Sequence, residues 1–510
     1  MELRVVRALI DRLNEENINY CHWKSNEHVR DAFRGIDDID MLIGQEDILR
    51  LNTILNQLGY KRFRLPDART YIGIEDYLGY DQDTGKFVHL HLHYQLTLGE
   101  KFLKGYQFPY AKTVLERRIF DENNRIYVTS HEDEMWLLLL RSALKIRHRD
   151  YIVHALKRDV FGDSIRREFE WLRRRLDCDA FARIVTEVLN EEIAEQMLRI
   201  VKDELSFRSI VRLERELRKA CYPFKSFTRV GGTLARWRRE LFRVRQVLHN
   251  NVYKELRSYR RTPISGGKII ALLGPDGAGK STVIQEVNKR LSGVMDVAHF
   301  YMGSGDGHSS LARTPLKLLY SLLLKGGVLD RKSMKIDSLG QTHRSDENYA
   351  ARIIRTLGQV PWTYTLCRER KRKLLRAQRF RSRGYIVLTD RYPQTQKAGI
   401  CDGPRYYLND RSSKHSFLDN ALAKIEKPCF DLAACCRPDL VIVLRVSPQV
   451  AQRRKPREVD IESHSNLMKR FLEIDFGNDT RTVVVDADQE LDSVKGSRFF
   501  AVLTCSYRVV

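Results

Sequence analysis

The residues with the clearest chemical purpose are Gly274-Pro275-Asp276-Gly277-Ala278-Gly279-Lys280-Ser281, followed by Thr282. They satisfy the G-x-x-x-x-G-K-[ST] phosphate loop, whose work is to bind a nucleoside triphosphate. Gly274, Gly277 and Gly279 let successive backbone N–H groups, Ala278 among them, turn onto phosphate oxygens at a helix N-terminus. Lys280 then reaches the β- and γ-phosphates and the Ser281 hydroxyl ligates Mg²⁺, so ATP and Mg²⁺ are the expected cofactors. A second group is VLTDRYP, residues 387–393. Asp390 there can organise Mg²⁺ or its water, and Arg391 can grip an acceptor phosphate bidentately. A third is SPQVAQRRKPRE, residues 447–458, with Arg453, Arg454, Lys455 and Arg457. Basic residues at that point suit a lid that neutralises charge on a transferring phosphoryl group. An exposed, solvated helix end accounts for the same arginines without function.

These residues need a scaffold, and the flanking patterns supply one. Ile269–Leu273 reads as a strand entering the loop, and Val283, Ile284, Val287 and Leu291 leave it at helical spacing. KIIALLG, GYIVLTD, DLVIVLRV and TVVVD are continuous apolar runs of strand length, the pattern of a parallel sheet covered on both faces by helices. Ligands of open α/β sheets lie at the carboxyl ends of strands, which puts Asp390 and Arg391 in the cleft.

GPDGAGKST, LTDRYP and PDLVIVLRVSPQVAQRR resemble thymidylate kinase and its relatives among the nucleoside-monophosphate kinases, over the span from Lys268 to the C-terminus. The resemblance implies a kinase that phosphorylates a nucleoside monophosphate such as dTMP, with Asp276 near the acceptor sugar and catalytic work at Lys280, Asp390, Arg391, Arg453 and Arg454. VVVDAD, residues 483–488, is similar to the last strand of these kinases, whose following loop borders the adenine. Two segments depart from the family. Residues 300–310 read FYMGSGDGHSS where an Arg-Glu-Pro stretch and glycines are usual. Residues 391–407 resemble instead divergent bacterial thymidylate-kinase-like proteins, often encoded beside surface-polysaccharide genes. A phosphorylated sugar or glycan precursor is therefore an alternative acceptor. A nucleotide-gated regulatory or binding module, without acceptor turnover, is an alternative of a different class.

The N-terminal part carries GIDDIDMLI, residues 35–43. Asp38 and Asp40, two apart on an expected strand, project to one face and are candidate metal ligands. HWKSN places Ser25 upstream, and VHLHLHYQL carries His89, His91 and His93 on one side of a later strand. Together these resemble the nucleotidyltransferase fold, which implies a glycine–serine triphosphate turn at Ser25 and a third carboxylate at position 91. Here Lys24 precedes Ser25 and a histidine stands at 91. The alternating histidines are open to two readings, a transition-metal site or a structural row.

Three regions follow: residues 1–130, an α+β nucleotidyltransferase-like domain; residues 131–256, helical and basic; and residues 268–510, a thymidylate kinase-like P-loop domain of the α/β class. Residues 257–268 read as a linker. The formal charge is +23, with 89 Lys and Arg against 66 Asp and Glu. Such an excess draws phosphorylated small molecules or nucleic acid. The arginines lie on helical stretches without interleaved aromatics, which favours a small-molecule acceptor and solvated helix faces. The most apolar stretch, 318–328, is short and broken by Lys325, so no membrane span is expected. The N-terminal MELRVVRALIDRL is an amphipathic helix pattern, not a secretory signal. Nine cysteines without framework spacing fit a reducing, cytoplasmic compartment. Residues 497–510 match no kinase ending.

Overall fold

The computed structural model describes residues 2–100, 103–156, 161–252, 256–257, 259–303, 349–398, 402–406, 417–456 and 459–488. The apolar stretch 318–328, residues 304–310, Arg457 and the tail 497–510 lie outside the described residues. The chain divides into two compact units, Met1–Asn251 and Val252–Val510. Among the described residues no helix is long and apolar enough to cross a membrane.

In the first unit the helix Arg4–Glu15 buries Val6, Leu9, Ile10 and Leu13, the stripe its spacing requires. The strands are β1 (Tyr20–His22), β2 (Ile39–Ile43), β3 (Lys61–Arg64), β4 (Ile74–Asp81), β5 (Lys86–His93), β6 (Leu96–Leu98), β7 (Tyr106–Phe108), β8 (Ile119–Asp121) and β9 (Ile126–Val128). Their order is β3-β4-β5-β2-β1-β9-β8, with β6 and β7 paired separately. Val88, Leu90 and Leu92 of β5 enter the core with the first helix. Period-two alternation sends His89 and His91 to the opposite face. β2 runs parallel to β5 with Asp40 opposite His91, and β4 runs antiparallel with Asp76 opposite the same residue. Three strands thus deliver Asp40, His91 and Asp76 in one row.

The helices that follow share a core with this sheet. In His131–Leu144 the whole run Met135–Leu140 is buried, and it packs with Cys21, Trp23, Leu42, Leu96 and Leu98. Local side-chain capping starts four of these helices. The side chains of Ser130, Asp177 and Asn190 accept first-turn N–H groups, and Ser206 with Ser209 forms a reciprocal capping box.

The second unit is a parallel sheet flanked by helices. Its strands lie in the order Leu256–Arg257, Val297–Tyr301, Ile386–Asp390, Lys268–Leu273, Leu440–Arg445, Arg481–Asp486. All neighbours are parallel except the short first strand. Leu272 pairs with Asp390, so the strand feeding the phosphate loop and the strand carrying Asp390-Arg391 end side by side.

Just before Val297–Tyr301 stands Asp296, 5% exposed, accepting the Arg260 N–H at 2.7 Å. Burial pushes its carboxyl up to about 6, against the backbone N–H groups that favour the ionised form. Its folded pKa exceeds the unfolded value of about 3.9, so its contribution is fully present near pH 4 and is lost as pH rises through 6. Asp296→Asn keeps an acceptor without the charge. The variant is expected to gain up to about 3 kcal/mol at pH 7.5, at 1.36 kcal/mol per pKa unit, and nothing at pH 4. Urea melts at the two pH values measure it; an equal change at both would remove the carboxyl's titration as the cause.

Candidate functional site

The phosphate loop leaves its strand through Gly274, φ +146°, where an added Cβ would lie 2.9 Å from the Leu444 carbonyl oxygen. At Gly277, φ +84°, a Cβ would lie 2.9 Å from the Ala451 carbonyl oxygen. Both positions therefore require glycine for conformation and for clearance. The helix Lys280–Val294 starts at once, and Gly279 at its N-cap supplies no side-chain acceptor, so its first-turn N–H groups remain available to an anion. Ala278 is buried beneath the loop, while Ser281 and Thr282 stand on the exposed side of the first turn.

Lys280 is 7% exposed and its Nζ donates to the Gly274 and Pro275 carbonyl oxygens, each at 2.9 Å. Burial, and then the nearby Arg391 charge, lower its pKa. The Ser281 hydroxyl donates to Asp390 Oδ2 at 3.0 Å. Asp390 is 4% exposed, and its other oxygen, Oδ1, is buried with no hydrogen-bond partner among the described residues. Such an orphaned carboxylate oxygen is costly. A hydroxyl and a carboxylate so arranged fit a hard divalent cation.

Arg391 adopts φ +66°, in the left-handed region where the Cβ of a non-glycine residue strains the backbone. Its guanidinium donates to Asp276 Oδ1 at 2.9 Å and approaches Asp402 Oδ2 at 3.5 Å. Burial opposes its charge, but Asp402 and Asp276 hold it protonated above the usual range. Asp402 also accepts from Arg370 at 3.0 Å, and Arg370 donates to the Met302 carbonyl at 3.2 Å. By sequence Arg370 is one of many arginines on a helical stretch that reads as a solvated face, and Asp402 carries no signal. Arg370 is 6% exposed, and only the fold brings it to this network.

Ser447 caps the helix Pro448–Arg454 by accepting the Val450 N–H. Arg454 donates to the Ala487 carbonyl at 2.9 Å and reaches the Gly277 carbonyl at 3.5 Å, joining the loop to the end of the last strand. Arg453 is exposed beside it. His464, also unmarked, is 4% exposed with both ring nitrogens unpartnered among the described residues. Burial lowers its pKa, against the charges of Asp276 and Asp488.

An uncharacterized ATP-binding protein of Escherichia coli K12, YghR, is 30% identical over 195 residues, which are 37% of this chain and 69% of YghR. The chain belongs to the YghR family. A second uncharacterized ATP-binding protein of the same organism, YghS, is 27% identical over 196 residues, 38% of this chain and 75% of YghS. Among solved structures, thymidylate kinase from Candida albicans aligns at 17% identity with a TM-score of 0.27, over 48% of this chain and 93% of that one. No family model matches the chain.

The first unit gathers a second cluster. His89 stands 2.8 Å from Asp38 and 2.6 Å from Asp76; His91 stands 3.3 Å from Asp40 and 3.0 Å from Asp76. His93 Nε2 lies 3.5 Å from Asp40, and Lys24 Nζ 2.8 Å from it. Burial works to raise the Asp40 carboxyl, but Lys24, His91 and His93 outweigh it and hold it well below the ordinary range. Burial pushes His93 down to about 3, so its ring is neutral. A further carboxylate, Asp76 on β4, stands beside these histidines, while position 91 itself is a histidine. Ser25 takes φ +58°, and its N–H and hydroxyl point at the Glu168 carboxylate, at 3.1 and 3.4 Å. A carboxylate of the chain therefore fills the turn where a triphosphate was expected.

Proposed function

We propose that the unit Val252–Val510 binds ATP with Mg²⁺ and transfers its γ-phosphoryl group to a small phosphorylated acceptor, a nucleoside monophosphate such as dTMP. The observation that carries this is Asp390 Oδ1, without a partner among the described residues, beside the Ser281 hydroxyl at the mouth of a glycine-built loop with uncapped helix N–H groups. Ser281 and Asp390 would hold the ion, which neutralises phosphate oxygens. Lys280 leaves its loop carbonyls for the β- and γ-phosphates. Arg391 exchanges Asp276 for the acceptor phosphate, and Asp276 is then released toward the acceptor sugar. Arg453 and Arg454 close the far side. An acceptor oxygen attacks phosphorus in line, the β–γ bridging bond breaks and ADP leaves; the protein contributes position and charge. That YghR and YghS are ATP-binding proteins supports the nucleotide half of this reading. We assign the activity to the cytoplasm, where ATP is abundant.

The test is ADP formation with a panel of nucleoside monophosphates and sugar phosphates. Turnover at least about tenfold above the ATP-only rate with one monophosphate is the expected outcome. Turnover confined to sugar phosphates transfers the assignment to the glycan-precursor alternative, and acceptor-independent behaviour throughout supports a nucleotide-gated module.

We further propose a divalent-cation site in the first unit at Asp38 and Asp40. Ligand atoms of Asp38, His89 and His91 lie within 4.8 Å of one another, as do those of Asp40, His91 and His93. Replacing Asp38 and Asp40 together by Asn is expected to abolish Mn²⁺ binding to this unit and to leave kinase turnover within about twofold, as the two sites share no residue and belong to separate compact units. Mn²⁺ titration of the folded full chain reads it, and parent protein lacking a second Mn²⁺ class would end the proposal.

A further inference from the structure

The helix Arg229–Val252 inverts the ordinary amphipathic arrangement. Its polar side faces the unit that carries it. Arg239, 7% exposed, donates to Glu100 at 2.9 Å, and Arg236 donates to the same carboxylate at 2.8 and 3.1 Å. Its apolar side faces outward: Val230, Leu234, Trp237, Leu241, Val244 and Leu248 are 71, 64, 67, 65, 56 and 58% exposed. Their separations alternate four and three residues, the spacing of the seam of a left-handed coiled coil. Soluble proteins rarely leave so continuous an apolar stripe to water.

We propose that this seam is closed by the same seam of a second copy of the chain, as a parallel coiled coil. Leu234, Leu241 and Leu248 fall at a positions, and Val230, Trp237 and Val244 at d positions. Glu240 then lies at g, and Arg238 and Arg245 lie at e. Parallel pairing sets Glu240 against the partner's Arg245, opposite charges at the g–e contact that selects register and direction. Antiparallel pairing would set e against e, arginine against arginine. Glu240 already accepts from Arg239 and Arg243, at 2.8 and 3.5 Å, and its oxygens have lone pairs for another donor. The stripe is a narrow a/d seam, widened only by Val247 at g, whereas a helix lying in a lipid surface presents a broad apolar face bordered by cations. Glu240 on the border of the stripe argues for the protein partner.

Light scattering of the full chain over a wide concentration range tests this. The parent is expected at a multiple of the 59.7 kDa of one chain. Leu241→Glu, at an exposed position where folding is unaffected, is expected to raise the dissociation midpoint by more than about tenfold. Glu240→Arg is expected to weaken association, and adding Arg245→Glu to restore it. A parent at 59.7 kDa throughout overturns the proposal. Association that Leu241→Glu leaves unchanged overturns it equally, as does a monomer that sediments with phosphatidylglycerol vesicles, which would give the stripe to a membrane surface.

Discussion

Lys280→Ala is expected to lower ATP turnover by at least about a thousandfold, the scale on which loss of one preorganised charge on a developing anion is felt. The side chain is buried under the loop with its Nζ on the Gly274 and Pro275 carbonyl oxygens. Those bonds hold the ammonium of the helix's first residue against the loop, with its desolvation cost already met. Alanine removes this charge while the backbone conformation of the loop, set by Gly274 and Gly277, persists. Stability should change by only about 1–3 kcal/mol, the cost of leaving the Gly274 and Pro275 carbonyl oxygens without their buried donor. Far-ultraviolet circular dichroism and a urea melt check the fold, and coupled ADP release measures the rate. A folded variant with turnover near the parent's would remove the phosphate loop from the mechanism, and with it the proposed reaction.

The phosphate loop was legible because its chemistry is local: eight consecutive residues supply turn, cation and hydroxyl, and the strand before and helix after them follow from apolar spacing. Asp390 and Arg391 were legible for a related reason, since a buried run ending in charged residues can only surface at a strand's carboxyl end. The parallel sheet flanked by helices likewise follows from four uninterrupted apolar runs. Arg370, Asp402 and His464 carry no such local mark. Arg370 is one arginine among many in the helix Tyr349–Ser382, and only packing against the sheet separates its buried face from its solvated one. Asp76 was hidden by β4 itself. IEDYLGYD holds three acids and a glycine, residues depleted from strands. The strand exists because β5 pairs with it along its whole length and because Gly79 makes room for the Tyr60 ring, 2.5 Å from where a Cβ would stand. Glu168 at the Ser25 turn depends on a helix more than a hundred residues away in sequence. In each case the deciding partner is distant along the chain, and no spacing rule reports it.

Arg391→Ala is expected to lower kcat/KM for the acceptor by about 10²–10³, with the affinity for ATP changed by less than about threefold. Truncating one partner of a desolvated, hydrogen-bonded charge pair costs 2–5 kcal/mol, which brackets the expected loss. The asymmetry between substrates follows from placement. Arg391 pairs with Asp276 and Asp402, whereas Ser281 pairs with Asp390 and, with Lys280, is proposed to take the nucleotide. Arg391→Lys should recover little, because an ammonium cannot reproduce a planar bidentate grip. Two further effects of the alanine need separating from the lost charge. Asp402 keeps Arg370 as a partner at 3.0 Å, so its carboxylate is not stranded. The backbone, at φ +66°, remains strained with alanine but is relaxed by glycine, at roughly 1 kcal/mol. Arg391→Gly should therefore melt above Arg391→Ala yet share its kinetic defect. Steady-state rates with both substrates varied, together with equilibrium binding of a non-hydrolysable ATP analogue, distinguish the sides. Loss of analogue binding with acceptor KM unchanged would move Arg391 to the nucleotide, and recovery of activity in the glycine variant would make its role conformational, with the guanidinium no longer needed to hold the acceptor.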